Sequence, residues 1–258
     1  MSKRDGADAA TVSGMSTRLA SVVIEAADPS AAAEFWYVML GGTAVPDGAR
    51  GRRLVAPEIG GCDLDLVFVP AHGAKTAKNR IHVDLATESP HEYQVLTSLA
   101  ADIGAHVVDV GQGPTMPWTV FQDPEGNEFC VLEPRELYTD TGPLAAVVID
   151  SVAPARVADF WSAATGWPVV HVCEDSAALR PLDTHGPWIE FLRVPDPKRT
   201  PNRIQFDMFP TDIEDPVGWL LALGATRLSD RVLADPEGNE FNLVCEPAID
   251  IPVRRFSR

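Results

Sequence analysis

One seven-residue string, Asp-Pro-Glu-Gly-Asn-Glu-Phe, occurs twice in this chain, at residues 123–129 and again at 235–241. Three further pairs of matches follow in the same order: Phe35-Trp36 with Phe160-Trp161, Asn79-Arg80-Ile81 with Asn202-Arg203-Ile204, and Glu133-Pro134 with Glu246-Pro247. A repeat of about 100 residues or more corresponds to a whole domain rather than to the short unit of a solenoid. The 258-residue chain therefore consists of two copies of one module.

The repeated heptapeptide has the composition of a tight turn between two strands. Its Asp and Pro favour the start of a turn, and its Asn tolerates a strained backbone position. Gly126 and Gly238 can adopt the positive φ that such a turn needs. Turn chemistry accounts for every residue of the string, so we expect it to have a structural role and not a catalytic one.

The apolar pattern of the first copy predicts two successive β-α-β-β-β units. In the first unit, a β-branched strand at 19–26 precedes a helix at 30–40, for which Asp28 is the expected N-cap. Three strands follow, and the second unit repeats the order with a strand at 80–86 and a helix at 91–103. The second copy follows the same plan. The sequence thus predicts an α+β protein made of two tandem modules.

The segments that join and flank the modules are polar. Residues 135–143 end in Gly142 and Pro143, which suits an exposed connection. The predicted organisation is a disordered tail at 1–17, a first domain at 18–134, a linker at 135–143, a second domain at 144–247 and a C-terminal tail at 248–258.

Composition and charge exclude several classes of partner. The formal net charge of −16 would repel a nucleic acid or an anionic membrane surface, whereas a neutral or cationic small molecule is compatible with it. The first seventeen residues lack the apolar core of a signal peptide, and no apolar run is long enough to span a membrane. Cys62, Cys130, Cys173 and Cys245 form no CxxC or Cys/His cluster, so we expect reduced thiols in a cytoplasmic protein.

The unit order and the hairpin that ends each copy resemble the vicinal-oxygen-chelate family, which includes glyoxalases, bleomycin-resistance proteins and extradiol dioxygenases. The resemblance covers residues 18 to 247. It implies that each pair of β-α-β-β-β units forms a curled eight-stranded cup, with the helices outside and a ligand inside. In the enzymes of this family the cup holds a divalent metal, with ligands from four strands that are typically His or Gln, Glu, His and Glu.

The resemblance places those four ligand positions on particular residues of each copy. In the first copy they fall at Ser21, Asp65, His82 and Cys130. In the second copy they fall at Ala146, Glu190, Gln205 and Asn242. Neither set provides the two histidines and one glutamate of an extradiol dioxygenase, so a ring-cleaving dioxygenase is disfavoured.

Strand alternation provides a separate argument about which side chains enter the cup, because residues two apart share one face of a strand. Ile81, Val83 and Leu85 form an apolar face, which leaves His82 and Asp84 on the inner face. The same argument puts Asp65 on the inner face of its own strand. We therefore expect one of three roles for this pair: a metal held by His82 and Asp65 and completed by Cys130, a general base at His82 without metal, or a structural hydrogen-bonded pair.

The second copy has a different set of candidate residues. Alternation places Glu190 on an inner face beside Trp188, and it places Gln205 and Asp207 together on another strand. A carboxylate beside an indole could bind a cationic ligand or act as an acid or base. Trp118 lies on a strand that should line a cup, and aromatic walls are common in small-molecule pockets.

Two hypotheses about function follow, and a scaffold whose cup is filled by side chains remains a third. The first is a binding protein, similar to the bleomycin-resistance branch, that sequesters a cationic or aromatic drug-like molecule of secondary metabolism. The second is a lyase or isomerase that uses His82, Asp65 or Glu190 as acid/base groups. No cofactor is expected apart from a divalent metal in the first domain, and the chain should be a monomer with an internal pseudo-dimer or a homodimer.

Overall fold

The computed structural model describes residues 17–56, 64–111, 113, 115–181, 186–211 and 213–244, so the two predicted tails fall almost wholly outside it. The elements of the first copy are β1 (Thr17–Ala26), α1 (Pro29–Leu40), β2 (Thr43–Pro46), β3 (Arg52–Val55), β4 (Asp65–Pro70), β5 (Ile81–Leu85), α2 (Pro90–Asp102), β6 (His106–Val107), β7 (Trp118–Gln122) and β8 (Glu128–Leu132). This order confirms the two predicted β-α-β-β-β units.

The second copy repeats the order after a short 3-10 turn at Glu136–Tyr138 in the predicted linker. Its elements are β9 (Leu144–Ser151), α3 (Pro154–Thr165), β10 (Val169–Val172), β11 (Ser176–Leu179), β12 (Trp188–Arg193), β13 (Ile204–Pro210), α4 (Pro216–Ala222), β14 (Thr226–Arg227), β15 (Val232–Ala234) and β16 (Glu240–Leu243). No helix in the described ranges has the length and apolar character needed to cross a membrane.

The strands form two eight-stranded sheets, and each sheet contains one unit from each copy. One sheet has the order β14-β15-β16-β13-β1-β4-β3-β2, and we call its cavity-facing side cup A. The other has the order β10-β11-β12-β9-β5-β8-β7-β6, and its cavity-facing side is cup B. The α+β class and the eight-stranded cups are confirmed. The expectation that each copy would form its own cup is wrong.

The antiparallel pairing of first strands explains this exchange. The first strand of unit one, β1, pairs with β13, the first strand of unit four. The first strand of unit two, β5, pairs with β9, the first strand of unit three. Each edge is then extended by strands of the same unit. All four first strands have apolar residues at alternate positions, so the sequence alone does not distinguish these partners.

The faces opposite the two cups pack with the helices into one hydrophobic core. Trp36 of α1 and Trp161 of α3 are its largest fully buried side chains, and both hold edge-to-face contacts with phenylalanines of the sheets. Asp28 caps α1 by accepting hydrogen bonds from the backbone N–H groups of Ser30 and Ala31, as predicted. The helices therefore lie on the outside of the cups and fix the curvature of both sheets.

The repeated heptapeptide joins the units in both copies by the same contacts. The Trp36 indole N–H donates to Asp123 at 3.1 Å, and the Trp161 indole N–H donates to Asp235 at 3.1 Å. In the first copy, Glu125 accepts hydrogen bonds from the backbone at the N-terminus of α1. Gly126 has a φ of 79°, which is the left-handed conformation that the turn requires. These contacts confirm the structural role predicted for the string.

Candidate functional site

The strand register aligns four inner positions of cup A with four of cup B. Ser21 is opposite both Asp65 and Asp207, and Asp207 is opposite Asn242. In cup B the same relations join Ala146, Trp188, Asp84 and Cys130. The counterpart of Asp65 is thus Trp188, and the counterpart of Asp207 is Asp84. The resemblance had matched Asp65 with Glu190, which lies two residues beyond Trp188 on β12. It had matched His82 with Gln205, and these two residues do occupy equivalent places.

The hypothesis of a metal held by Asp65 and His82 is wrong, because the two residues belong to different cups. Asp65 lies on β4 in cup A, and His82 lies on β5 in cup B. In cup A, Arg53 donates to the Asp65 carboxylate at 2.9 Å, and the Ala56 backbone N–H donates to its second oxygen at 3.1 Å. An arginine therefore occupies the position where a metal would have to bind to Asp65.

The other acids of cup A are paired in the same way. Asp207 is completely buried and receives two hydrogen bonds from Arg50, at 2.8 and 3.1 Å. Ser21 donates to the same carboxylate at 3.0 Å, and Asn242 also donates at 3.0 Å. Gln205 donates to the backbone carbonyl of Asn202. The candidates Gln205 and Asp207 therefore share cup A, and Glu190 lies in cup B.

Cup B contains a cavity of about 390 Å³, and its lining combines acids, bases and aromatic side chains. His82, Asp84 and Cys130 form a cluster in it whose donor atoms all lie within 4.8 Å of one another. His82 Nε2 is 3.5 Å from Asp84 Oδ1, which exceeds the usual range for a hydrogen bond. Two of the three residues were predicted as site residues, and the structure brings them together with Asp84.

Burial holds the two titratable groups of this pair in their neutral forms. Desolvation, reinforced by the nearby charge of Glu190, raises the pKa of Asp84 to about 7. Desolvation, reinforced by the charge of Lys78, lowers the pKa of His82 to about 4. Between these two values the carboxyl group carries its proton and the imidazole carries no charge. The 3.5 Å approach is therefore a contact between neutral groups and not an ion pair in this pH range.

A second polar pair, Tyr138 and Glu190, forms another wall of the cavity. The Tyr138 hydroxyl donates to Glu190 Oε1 at 2.7 Å. Burial raises the pKa of the Glu190 carboxyl, and burial together with the Glu190 charge raises the pKa of the Tyr138 hydroxyl. Cys130 is similar, because burial and the neighbouring Asp84 raise the pKa of its thiol. The Tyr138 hydroxyl and the Cys130 thiol therefore keep their protons, and Glu190 is the acceptor of the pair.

The two candidate tryptophans occupy different places in cup B. Trp118 is half-buried and lines the cavity, and the Arg135 guanidinium lies over its ring at 5.4 Å. Trp188 is buried below the cavity surface and packs edge-on against Tyr138 with ring centroids 6.1 Å apart. Trp118 is therefore positioned to contact a ligand directly, whereas Trp188 supports the wall behind Tyr138.

Three buried polar atoms of cup B have no hydrogen-bond partner: His82 Nδ1, Asp84 Oδ1 and Trp188 Nε1. A buried polar group without a partner costs roughly 1–3 kcal/mol. The corresponding carboxylate of cup A, Asp207, has no such deficit, since it accepts four hydrogen bonds. The unpaired oxygen distinguishes Asp84 of cup B from Asp207 of cup A, while cup A has an unpaired oxygen of its own at Asp47.

The chemistry of the cluster fits a divalent ion. A neutral imidazole, a carboxylate and a thiolate are a donor set that zinc accepts, and three protein ligands leave a position open for a substrate or water. Binding would have to displace the protons of Asp84 and Cys130, both of which burial holds on the side chains. Asp84 Oδ1 is an unpaired atom that such an ion would satisfy, and His82 Nε2, at 3.5 Å from it, is the imidazole nitrogen on the same side.

Sequence reasoning missed Arg135 and Tyr138 as site residues, because both belong to the predicted linker. Tyr138 is buried, although the polar composition of residues 135–143 predicted an exposed connection. The weak signal was a single aromatic residue in an otherwise polar stretch. Asp84 was placed on the inner face but was not selected, since the family pattern directed attention to His82.

The chain contains two copies of a pair of β-α-β-β-β units, and each of its two sheets encloses a polar cavity. This arrangement defines a tandem protein of the glyoxalase type. The chain belongs to the family of the glyoxalase-like domain, whose family model matches residues 21–132 and again 146–244. Each match covers one sequence copy, and therefore one unit from each of the two sheets. No curated protein matches this sequence.

Solved structures with the same fold cover both copies. Glyoxalase I from Zea mays superposes with a TM-score of 0.61 and 17% identity, over 89% of this chain and 92% of that chain. A candidate dioxygenase from Bacillus subtilis subsp. subtilis str. 168 superposes with a TM-score of 0.59 and 15% identity, over 91% of this chain and 87% of that chain. At these identities the similarity shows the shared fold.

Proposed function

We propose that cup B binds a small organic molecule with a cationic or aromatic part. The observation that carries this proposal is the set of buried polar atoms without partners beside an open cavity of about 390 Å³. A cavity of this size lies within the range of about 300–1,000 Å³ that is common for small-molecule pockets. Membership of the glyoxalase-like family supports a ligand inside the cup.

The unpaired atoms give the ligand a defined set of polar contacts. The Asp84 carboxyl carries its proton below pH 7 and can donate, while its Oδ1 can accept. A ligand that satisfies both His82 Nδ1 and Asp84 Oδ1 would recover the free energy lost by their burial. Its binding is therefore favoured by contacts that the empty cup lacks.

The remaining walls select the shape and charge of the ligand. The half-buried ring of Trp118 offers a flat apolar surface, and stacking on an indole contributes on the order of 1 kcal/mol beyond the area it buries. Glu190 supplies a carboxylate on the opposite wall, where it could pair with a cationic group of the ligand. A flat molecule with an amine or amidine substituent suits both walls.

A lyase or isomerase is the second candidate function, and the pair of Asp84 and His82 favours it. A buried acid with a pKa of about 7 can give up or take a proton near neutral pH, and the neutral His82 imidazole can accept one. Tyr138 would orient a carbonyl or hydroxyl group of the substrate through its hydroxyl. A divalent ion on His82, Asp84 and Cys130 would add the polarisation of a bound carbonyl.

Tryptophan fluorescence tests the binding proposal directly. The purified protein is titrated with a library of aromatic amines, amidines and their neutral analogues, and each compound that quenches is repeated with Trp118→Ala, Asp84→Asn and Glu190→Gln. Asp159→Asn, on the exposed face of α3, is the matched control for a carboxyl-to-amide change. We expect the three cup B variants to bind at least tenfold more weakly than the control.

The contrary result is also well defined. A ligand that binds all three cup B variants as tightly as Asp159→Asn occupies another site, and the proposal for cup B would then be wrong. If the parent protein converts a bound compound, and Asp84→Asn binds that compound without converting it, the protein is an enzyme and not a sequestering protein.

A further inference from the structure

We propose that the ligand of cup B is a dipolar aromatic molecule, which carries an ammonium group for Glu190 and a carboxylate for Arg135. This inference rests on the proposed function, because it names the chemical class of the molecule that cup B would bind. It depends on two side chains of opposite charge that line one cavity and have no counter-ion among the described residues. A ligand with a single charge would satisfy only one of them.

Three other charged residues in the lining of cup B already have counter-ions. Lys78 donates to Asp150 at 2.6 Å, and both residues line the cavity. Glu128 accepts a hydrogen bond from Lys75 at 2.6 Å. Because these charges are neutralised within the protein, the recognition of a charged ligand depends on the lining residues that lack such a partner.

Arg135 is a cation at the wall of the cavity without an acid beside it. Its Nη2 donates to the backbone carbonyl of Pro117 at 3.3 Å, and its guanidinium lies 5.4 Å from the centre of the Trp118 ring and 6.0 Å from that of the Tyr138 ring. Within the part of the chain that the structure describes, it forms no ion pair. A guanidinium has five N–H donors, of which the carbonyl takes one. The others are suited to the paired hydrogen bonds that a carboxylate accepts.

Glu190 is the anion of the same cavity. Its Oε1 accepts a hydrogen bond from the Tyr138 hydroxyl at 2.7 Å, and no basic side chain in the described ranges forms an ion pair with it. Burial raises the pKa of Glu190, while the hydrogen bond from Tyr138 and the charge of Arg135 oppose that rise. Glu190 and Arg135 are therefore near enough to influence each other but too far apart to pair, which leaves room for a ligand that reaches both.

The charges of the lining favour a dipolar ligand over a simple cation. An ammonium group that pairs with Glu190 brings its positive charge into a cavity that already contains Arg135, and a carboxylate on the same molecule offsets the repulsion. Asp84 is another acid whose pKa the Arg135 charge lowers, although burial raises that pKa overall, and it forms no ion pair with Arg135 either. Each ionic group of the ligand loses water on binding, and a partner of opposite charge in the cavity compensates for that loss.

The position of Arg135 beside Trp118 indicates that the ligand carries a flat ring. Trp118 is half-buried and lines the cavity. A carboxylate bound to Arg135 would bring the ring attached to it next to the indole, where aromatic contacts add to the binding. The cavity of about 390 Å³ has room for a molecule of the size of an aromatic amino acid.

Two matched sets of probes test this inference by ligand-observed NMR on the full chain. The first set is phenylalanine, phenethylamine, which lacks the carboxylate, and hydrocinnamate, which lacks the amine. The second set is tryptophan, tryptamine and indole propionate. In at least one set we expect the amino acid to bind about tenfold more tightly than either of its partners, because it alone forms both charged contacts.

Variants assign each charge of the probe to one residue. Arg135→Gln should remove the advantage of the amino acid over the amine and leave the amine bound at least as tightly as in the parent. Glu190→Gln should remove its advantage over the carboxylic acid and leave the binding of that acid intact. Arg156→Gln and Asp159→Asn, on the exposed surface of α3, are the matched controls. If Arg135 had only a structural role, its loss would weaken all three probes of a set together.

Three results would overturn the inference. One is that neither amino acid binds the parent protein, and another is that the amine binds as tightly as the amino acid in both sets. The third is that Arg135→Gln keeps the preference for the amino acid over the amine. If amines still bind, and Trp118→Ala and Glu190→Gln weaken them, the proposed function stands without this inference. If that dependence is also missing, the proposed function fails as well.

Discussion

Cup A and cup B have equivalent strand orders and registers, yet the aspartate at one equivalent position has different hydrogen-bond partners in the two cups. Asp207 of cup A and Asp84 of cup B occupy equivalent places on the first strand of a unit. Asp207 accepts hydrogen bonds from Arg50, Ser21 and Asn242. Asp84 Oδ1 has no partner, and the residues opposite are Ala146 and Cys130. The fold supplies the position, and a few neighbouring side chains decide whether both oxygens of the carboxyl group are hydrogen-bonded or one has no partner.

The largest expected effect is the change in stability caused by Asp84→Asn. The pKa of Asp84 is raised from 3.8 to about 7, so the native state keeps a proton that the unfolded state loses as the pH rises between these values. Stability is therefore lost over that range, and above pH 7 the loss amounts to on the order of 4 kcal/mol. The amide cannot ionise, so Asp84→Asn should be the more stable protein above pH 7.

Urea denaturation at several pH values measures this effect. The gain of the variant over the parent should shrink towards zero near pH 4, because both chains are then neutral at this position. The buried amide also lacks partners, which makes the estimate an upper bound. A gain that does not vary with pH would show that Asp84 titrates normally.

The same substitution in cup A should have the opposite sign. Asp207→Asn weakens two charge-assisted hydrogen bonds and leaves Arg50 with only the longer ion pair to Asp47, at 3.8 Å. Breaking a fully buried ion pair costs about 3–5 kcal/mol, and the partial exposure of Arg50 reduces this to roughly 2 kcal/mol. Denaturation of Asp207→Asn beside Asp84→Asn checks the prediction. Equal effects of the two changes would remove the difference between the cups.

Metal binding should also separate the cups. Titration of the purified, metal-stripped protein with Zn²⁺ should show one site, which depends on His82, Asp84 and Cys130. We expect His82→Ala to weaken binding at least tenfold, because removal of a ligand should cost no less than the loss of a group that only supports one, which is about 10–100-fold. Asp65→Asn, in cup A, is the matched control and should leave binding unchanged. An equal loss in both variants would contradict the assignment.

The smallest expected change is a loss of stability that should be equal in the two copies of the module. Trp36→Phe and Trp161→Phe each remove one indole hydrogen bond, at 3.1 Å, to the aspartate of the repeated heptapeptide. Each should lower the free energy of unfolding by about 0.5–1.5 kcal/mol, the usual net contribution of one hydrogen bond, because both aspartates keep their other donors in the hairpin. The two variants should agree within the error of a denaturation experiment. A large difference would show that the two hairpins hold their helices in different ways.

Local sequence signals predicted the elements of this fold well. The Asp28 cap, the glycine after each helix and the heptapeptide turns all depend on neighbouring residues, and each lies where it was expected. The pairing of the units was not predictable in the same way. The choice of β13 over β5 as the partner of β1 depends on contacts between distant strands, and the inner strands have the same apolar alternation.

The candidate site shows the same limit. His82, Cys130 and Glu190 were predicted, and the structure brings them into one cup, but Asp65 was assigned to this cup in error because its strand pairs elsewhere. Tyr138 enters the cup from the linker through a 3-10 turn that no local pattern indicated. The catalytic and ligand-binding roles proposed for these residues remain predictions.

The titration of Asp84 is the most direct test of the difference between the cups. The carboxyl ¹³C resonance of Asp84, assigned by its loss in Asp84→Asn, is followed across the pH range in the ligand-free protein. We predict a midpoint near pH 7, as expected for a buried acid without a counter-ion. A midpoint at the ordinary value of 3.8 would mean that Asp84 is paired or hydrated, and would contradict the account of cup B as the site prepared for a ligand.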